Sequence, residues 1–197
     1  MVPSEVRLGV CAMRAFVAIE LPGAIKDAIE SLIRRLRGVG ARASWVRREN
    51  MHLTLRFFGG ITEDQSIRLG EILAENGREI RPFPVHVRGI GAFPNARKPA
   101  VIWVGAEAPD DCLLHMNAAA ENAARAIGLS PDDKPFHPHI TMARIRDTRT
   151  ARPLMEAIES EAAFDAGAFE ASGMTLFSSE LTPKGPVYQV VREFPCD

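Results

Sequence analysis

Several features that would direct a chain to a particular compartment are missing from this 197-residue sequence. Cysteine occurs only at Cys11, Cys112 and Cys196, an odd and scattered set that provides neither a disulfide framework nor a CxxC motif. No apolar run approaches the roughly 18 residues that a membrane-spanning helix needs, and the first residues lack the pattern of a signal peptide. These absences predict a monomeric globular protein of the reducing cytoplasm, with no membrane contact.

Lysine is nearly absent, whereas arginine is frequent, and the formal net charge is −1. The protein as a whole therefore has no electrostatic attraction to nucleic acid, and any phosphate recognition has to come from local arginine clusters. One cluster lies in the first half and another in the second, at Arg34, Arg35, Arg37, Arg42, Arg47 and Arg48, and at Arg144, Arg146, Arg149 and Arg152. The competing interpretation is that genome composition favours arginine and that Arg34 to Arg37 form the solvated face of a helix.

A His-x-Thr-x tetrapeptide occurs twice, first as His52-Leu53-Thr54-Leu55 and again as His139-Ile140-Thr141-Met142. Both copies lie in stretches where apolar and polar residues alternate, 51–58 and 138–145, which predicts strands. Because residues i and i+2 of a strand share a face, each histidine points the same way as its threonine, and the intervening apolar residues pack on a core.

The order of predicted elements repeats around the two tetrapeptides. Each half contains a strand, a helix, a His-x-Thr strand and a second helix, which is the pattern of a duplicated unit. The helices are predicted over 21–38, 62–77, 110–127 and 150–162, and the other strands over 15–19, 85–93, 101–104, 168–177 and 187–194. We expect an α+β fold of two pseudo-symmetric lobes, each a mainly antiparallel sheet covered by helices, with a cleft between them. Residues 1–12 are predicted to be a flexible N-terminal extension, and 13–197 a single bilobal domain.

Two histidines and two threonines suit chemistry at a phosphodiester. With an unperturbed pKa of about 6.5, one imidazole accepts a proton while the other donates one near neutral pH. Hydroxyl donors aimed at the phosphate oxygens stabilise the more highly charged transition state. A lone His-x-Thr in a strand is unremarkable, because threonine favours strands and single histidines are usually structural. The duplication is what favours function, with His52 and His139 as an acid-base pair that needs no metal or other cofactor.

With both tetrapeptides identified, the chain resembles the two-histidine phosphoesterase superfamily, and within it the bacterial and archaeal RNA 2',3'-cyclic phosphodiesterases, also called 2'-5' RNA ligases. The resemblance covers most of the chain. Besides the two tetrapeptides it includes the segments Met13 to Ile19, Trp45-Val46, Asn50 to Gly59, Gly91 to Pro94, Ile102 to Val104, Pro135 to Arg144, Leu176 to Leu181, and Gly185 to Tyr188.

The resemblance implies hydrolysis of a 2',3'-cyclic phosphate at an RNA end to a 2'-phosphate, and in some members ATP-independent 2'-5' joining of RNA. It implies that His52 donates a proton to the leaving oxygen and that His139 activates water. Thr54 and Thr141 correspond to the hydroxyls that hold phosphate, Phe57 to a base contact and Arg144 to a phosphate contact. On a regular strand Phe57 and Arg144 face away from their histidines, so a bulge, a twist or a strand end has to reorient them.

His137 occupies a position where members of this family often carry arginine or lysine. It is expected to contact phosphate when protonated. The His137-x-His139 spacing is also one that metal sites use, and Asp132 and Asp133 are near in sequence, so a metal site is the alternative. Trp45 and Trp103 lie in apolar strand contexts and are predicted to be core residues.

Two other functions stay open beside hydrolysis of RNA ends. A non-catalytic module that binds a nucleotide or an RNA end would use the same cleft without turnover. A cyclic phosphodiesterase for a small nucleotide would keep the chemistry and change the substrate. In each case the expected partner is an RNA terminus or a nucleotide with a 2',3'-cyclic phosphate.

Overall fold

The computed structural model describes residues 12–183 and 185–196, so the extension predicted for residues 1–12 lies outside the described residues except for Ala12. Four α-helices of eight or more residues occur in the described ranges, α1 (Gly23–Arg37), α2 (Glu63–Arg78), α3 (Cys112–Ala126) and α4 (Arg152–Ser160). The strands there are β1 (Met13–Glu20), β2 (Ala43–Trp45), β3 (His52–Ile61), β4 (Phe83–Phe93), β5 (Val101–Glu107), β6 (His139–Ile145), β7 (Asp165–Ala171), β8 (Gly173–Thr182) and β9 (Gly185–Pro195).

All of these strands belong to one antiparallel sheet in the order β7-β4-β5-β6-β3-β1-β8-β9, with β2 paired to β6. The first lobe consists of β1, β3, β8 and β9, and the second of β4 to β7 with β2. The lobes meet where β3 pairs with β6, at Leu53 and Ile140. The predicted α+β fold of antiparallel sheet covered by helices is confirmed.

The helices bury one apolar stripe each against the sheet. In α1 the stripe follows the spacing of one helix face and consists of Ile25, Ile29, Leu32, Ile33 and Leu36. The helix α1 follows a strand of the first lobe but packs on β7 and α4, whereas α3 packs on β3 and α2. Each half of the sequence therefore contributes a helix to the opposite lobe, and the two lobes are built as one unit. In the described part of the chain, no helix combines the length and the apolar content required to cross a membrane.

The observed ends of the helices and strands can be compared with the ranges predicted from the sequence. The helix predicted from residue 62 begins with a capping box, in which the Thr62 hydroxyl accepts from the Gln65 backbone N–H and the Gln65 side chain accepts from the Thr62 N–H. The single strand predicted over 168–177 is wrong, because β7 ends before Ser172 and β8 begins at Gly173. β7 pairs with β4 in the second lobe, whereas β8 pairs with β1 in the first. A Cβ added to Gly173 would lie 2.6 Å from the Phe194 carbonyl oxygen, so this crossing between lobes needs glycine.

Both His-x-Thr strands contain a bulge directly after the threonine. In β3 the partner of Val17 is Arg56 and that of Ala18 is Thr54, so Leu55 is the extra residue. In β6 the partners of Ile102 and Trp103 are Ala143 and Thr141, so Met142 is the extra residue. Both bulged carbonyls are held from outside the two-strand ladder. Asn117 Nδ2 donates to the Leu55 oxygen at 2.8 Å, and the Val46 backbone N–H donates to the Met142 oxygen at 2.8 Å.

Arg56 is buried beside the first bulge and ties it to the second lobe. Its Nη1 donates to the Phe57 carbonyl at 2.6 Å and its Nη2 to the Ser130 carbonyl at 2.8 Å. Its Nε lies 2.5 Å from Glu121 Oε1 in an ion pair that lacks the alignment of a hydrogen bond. Nη1 also contacts Asp132 at 3.3 Å. One guanidinium thus connects β3, α3 and the segment that leads to the second His-x-Thr motif.

We predict that Arg56→Met lowers the free energy of unfolding by about 3–5 kcal/mol, because it leaves the Glu121 carboxylate unpaired at a buried position. Replacing both partners, in Arg56→Met with Glu121→Leu, is expected to recover most of the loss. Urea unfolding followed by circular dichroism measures both variants. A double variant no more stable than the single one would show that the buried charge is not the cause.

Candidate active site

One cleft between the lobes, with a volume of about 1510 Å³, is lined by all seven site residues predicted from sequence. They are His52, Thr54, Phe57, His137, His139, Thr141 and Arg144. β3 and β6 provide all of these except His137, which lies just before β6. The residues between them, Leu53, Leu55, Ile140 and Met142, are buried in the core on the opposite face. The alternation of the sequence is therefore the alternation of the two faces of the sheet.

The pairing at the centre of the sheet fixes how the two motifs meet. Because Leu53 faces Ile140 in an antiparallel pair, extending the register by one residue places His52 across from Thr141. The same step on the other side places Thr54 across from His139. The two histidines are then diagonal neighbours on one face, with Cα atoms about 7–8 Å apart. The two rings are therefore close enough for a group the size of a phosphate to contact both.

Each imidazole is oriented by a carbonyl two residues before it in the chain. His52 Nδ1 lies 2.8 Å from the Asn50 oxygen, and His139 Nδ1 lies 2.7 Å from the His137 oxygen. A carbonyl oxygen only accepts, so Nδ1 carries the proton in both rings and Nε2 of the neutral ring has a free lone pair. This arrangement makes each Nε2 available as a base, or as an acid once it is protonated.

Aromatic side chains surround the His52 ring. Its centroid lies 4.7 Å from that of Phe16, 6.3 Å from that of Phe177 and 5.3 Å from that of Tyr188. This burial is the largest cause that lowers the pKa of His52, from 6.5 to about 4, and nearby positive charge lowers it further. The hydrogen bond to the Asn50 carbonyl opposes the shift in pKa without cancelling it. The neutral ring is therefore the form present at neutral pH in the free protein.

The His139 ring lies on a different aromatic base, with Phe93 at 5.0 Å and Trp103 at 6.2 Å between ring centroids. Burial is the largest cause that lowers the pKa of His139, and the positive charges of His137 and Arg144 lower it further. The same motif thus has two different surroundings, and in both of them the pKa of the histidine is lowered.

The hydroxyl groups of Thr54 and Thr141 have no hydrogen-bond partner among residues 12–183 and 185–196, although both threonines are half-buried. Half-buried hydroxyls usually bond to protein or to a bound molecule. They lie beside the two imidazoles on the same face. The two hydroxyls can donate hydrogen bonds to the oxygens of an anion, and an imidazole joins them as a donor when its Nε2 is protonated.

The bulges account for Phe57 and Arg144, which a regular strand would point away from the histidines. After Leu55 the alternation shifts by one residue, so that Arg56 and Phe58 are buried and Phe57 is 50% exposed on the cleft side. Met142 produces the same shift in β6, which leaves Ala143 buried and Arg144 exposed in the cleft. The phenyl ring of Phe57 lies 5.2 Å from Phe16, which also contacts His52.

The structure corrects one aromatic prediction and leaves the metal alternative without a ligand set. Trp103 is half-buried and packs on His137 at 4.7 Å between centroids, so its assignment to the core was wrong. A Cβ on Gly91 would lie 2.1 Å from this indole, and the glycine therefore gives the ring its room. Trp45 packs against the core and lines the cleft. Among the described residues, no third His, Cys, Asp or Glu clusters with His137 and His139 as a metal site would require.

Several cleft residues were not singled out as site residues from the sequence. Asn117 and Glu121 come from α3, and neither stands in a motif. Tyr188 is the one tyrosine of the chain, and this rarity was the signal available. Partial burial raises the pKa of its phenol, and the charge of Arg144 opposes that rise.

The charge of the cleft differs from that of the whole protein. The acidic residues that line it, Glu121 and Asp132, are both paired with Arg56. Five further basic side chains line the same cleft, namely Arg47, Arg125, Lys134, Arg144 and Arg146. A chain with a net charge of −1 therefore presents a positively charged surface at this one place.

The chain is similar in sequence to a known protein family. The family model described as LigT like phosphoesterase matches twice, over residues 19–103 and 104–188, which confirms the predicted duplication. The chain is 31% identical to the RNA 2',3'-cyclic phosphodiesterase of Methanothermobacter thermautotrophicus, over 92% of this chain and 98% of that one. It is 32% identical to the protein of the same name from Aquifex aeolicus, over 92% and 96%.

Solved structures show the same fold. The crystal structure of TT0787 from Thermus thermophilus matches with a TM-score of 0.77 at 29% identity, covering 93% of this chain and 97% of that one. E. coli LigT complexed with 3'-AMP matches with a TM-score of 0.74 at 24% identity, covering 94% and 98%. With one family match in each half and relatives aligned over nearly their whole length, this chain belongs to the LigT like phosphoesterase family.

Proposed function

We propose that this protein hydrolyses the 2',3'-cyclic phosphate at RNA ends to a 2'-phosphate, using His52 and His139 as an acid-base pair without a metal. One observation carries the proposal. Two imidazoles, each with Nδ1 bonded to a carbonyl, flank two unpartnered threonine hydroxyls on the same face of one positively charged cleft in the described part of the chain. The names of the curated relatives agree with this reaction.

In the proposed reaction, His139 Nε2 takes a proton from water as the water oxygen bonds to phosphorus. The bond from phosphorus to O3' breaks, and His52 Nε2 gives its proton to O3', which leaves a 2'-phosphomonoester. Thr54 and Thr141 donate hydrogen bonds to the non-bridging oxygens, and Arg144 contributes positive charge. Protonated His137 adds a further phosphate contact, and Phe57 stacks against the terminal base.

The environment of His52 supports its role as the acid. An imidazolium whose pKa is about 4 in the free protein is a stronger proton donor than free histidine. A bound phosphate anion stabilises that imidazolium before transfer. His139 is closer to Arg144 and His137, whose charges favour its neutral form, as a base requires.

Joining of two RNA ends would use the same groups. If the 5'-hydroxyl of a second RNA replaces water, His139 deprotonates it, and opening of the cyclic phosphate at O3' creates a 2'-5' linkage without ATP. By microscopic reversibility the same pair of histidines also cleaves that linkage. We propose ligation as a secondary activity of the site, in a cytoplasmic, monomeric enzyme.

Two alternatives are separated by one measurement of turnover. A pure binding module would bind a nucleoside 2',3'-cyclic phosphate without changing it, whereas the proposed enzyme converts it to the 2'-phosphate, as phosphorus NMR would show. An enzyme for a small cyclic ester would turn over the mononucleotide at least as well as an oligonucleotide.

We expect His52→Ala and His139→Ala each to lower kcat by several orders of magnitude on an oligonucleotide with a cyclic phosphate end. Because the two rings act in one proton-transfer cycle, the double variant is expected to be little worse than either single one. Steady-state kinetics with a labelled oligonucleotide measure all three. His86→Ala, at a histidine that bonds Asp165 outside the cleft, is the matched control. Near-normal turnover by both single variants would contradict this mechanism.

The pH dependence follows from the lowered pKa values. Catalysis needs one ring neutral and the other protonated, so kcat/KM has a bell shape with limbs at the pKa values of the free enzyme. Both pKa values lie below 6.5, and that of His52 is about 4, so the maximum of kcat/KM is expected below pH 6.5. The alkaline limb of kcat is expected at higher pH, because bound phosphate stabilises the imidazolium. A kcat/KM maximum well above pH 7 would contradict the assignment of these limbs.

Metal independence is tested directly by chelation. Prolonged dialysis against EDTA is expected to leave kcat unchanged, because the histidine pair generates the nucleophile and protonates the leaving group. Measurement of metal content by mass spectrometry is the control for complete removal. Loss of turnover that a divalent ion restores would favour a His137-x-His139 metal site instead.

A further inference from the structure

Arg146 continues the line of functional side chains along β6. Beyond His139, Thr141 and Arg144, it follows the end of the strand and lines the same cleft. Its backbone N–H donates to the Arg42 carbonyl at 2.8 Å, which keeps the segment aligned beside β2. Arg146 has no role in the proposed proton transfers.

Ser44 of β2 holds the Arg146 side chain in place. The Nε of Arg146 donates to the Ser44 hydroxyl at 2.6 Å, and Ser44 is the direct cross-strand partner of Arg144. Ordering a long arginine side chain costs conformational entropy, so a hydrogen bond that fixes it prepares the guanidinium for a ligand. Ser44 also lines the cleft.

The charge of Arg146 is not neutralised within the described parts of the chain, where it forms no ion pair. Its Nε is used by Ser44, while both Nη groups have no hydrogen-bond partner there. The acids of the cleft are held by Arg56 instead. A guanidinium fork with free donors in a positively charged cleft matches the oxygens of a phosphate.

Arg144 is the guanidinium nearer to the reacting phosphate. The Ser44 and Arg144 pair lies three residues along β6 from Thr141, and one of these three is the bulged Met142. The charge of Arg144 affects the pKa of His139, so Arg144 belongs with the reacting position. Arg146 lies two residues further along the chain, past the end of β6, and its Nε is bonded to Ser44. Its guanidinium is therefore placed for a second phosphate, beyond the one at the histidines.

We propose that Arg146 and Ser44 form a subsite for the phosphodiester on the 5' side of the terminal nucleotide. This inference rests on the proposed function and makes it more specific. The substrate class is an RNA chain with at least two phosphates, the cyclic one at the histidines and its 5' neighbour at Arg146. A nucleoside 2',3'-cyclic phosphate fills only the first position and is the poorer substrate.

The test compares two substrates with the same reacting end, adenosine 2',3'-cyclic phosphate and the dinucleotide ApA with a 2',3'-cyclic phosphate. Arg146→Ala is expected to lower kcat/KM roughly tenfold more on the dinucleotide than on the nucleoside, as loss of a charged hydrogen bond implies. Ser44→Ala is expected to act in the same direction with a smaller ratio, and Arg146→Lys to restore part of it. Arg152→Ala removes an equal charge at a residue paired with Glu156 outside the cleft and is the matched control.

Equal losses on both substrates would overturn the subsite, because Arg146 would then act on the reacting phosphate or on the fold. A ratio no larger than that of Arg152→Ala would overturn it as well. Binding of the 2'-phosphorylated dinucleotide, followed by calorimetry, is independent of turnover. If the unmodified protein hydrolyses neither substrate, the proposed function is wrong. The subsite is then judged by binding alone, and it is wrong as well if Arg146→Ala binds this dinucleotide as tightly as the unmodified protein.

Discussion

The pairing of Leu53 with Ile140 is the contact on which the site depends. Both side chains are fully buried, so this point of the sheet is fixed by the core and not by the cleft. A shift of one residue in this register would turn the histidine and threonine of one motif toward the helices and bring the apolar side chains of that strand into the cleft, so the two motifs would no longer share a face. The same pairing joins the two lobes. The geometry of the histidine pair and the assembly of the lobes are therefore set by the same interaction.

A perfectly regular sheet would give this site two histidines and two threonines and little else. The bulges at Leu55 and Met142 change the phase of each strand, so that Phe57 and Arg144 face the cleft while Leu53 and Ile140 remain in the core. Both bulges follow the threonine of their motif, although different groups hold their carbonyls, the Asn117 amide in one and the Val46 backbone in the other. Both motifs therefore have a bulge at the same position, but a different group bonds the bulged carbonyl in each lobe.

What could be predicted from the sequence follows from local periodicity. Alternation identified the two motif strands and the shared face of His52 and Thr54, and the helix predicted over 21–38 corresponds to α1. The exchange of α1 and α3 between lobes depends on contacts between distant residues, which no local pattern records. The same limit explains the error at 168–177, where one apolar alternation continues across two strands that pair at opposite ends of the sheet. Trp103 was wrongly predicted to be a core residue. Its neighbours in the sequence are apolar, and they do not show that its ring packs on the cleft-side His137, next to the bulge of the partner strand β6.

In the proposed mechanism, two copies of one motif perform opposite proton transfers. The frame is symmetric, since each Nδ1 is held by the carbonyl two residues before it. The surroundings are not. Phe16, Phe177 and Tyr188 bury the ring of His52, whereas His139 lies near the charges of His137 and Arg144. Burial is the largest cause that lowers the pKa of both rings, and nearby positive charge lowers both further. In both rings the free protein disfavours the charged form, so in the proposed mechanism the negative charge of the substrate phosphate stabilises the imidazolium that gives its proton to the leaving oxygen. The substrate then completes the electrostatics of the proposed site, and the residues around each motif, not the motif itself, distinguish the proposed acid from the proposed base.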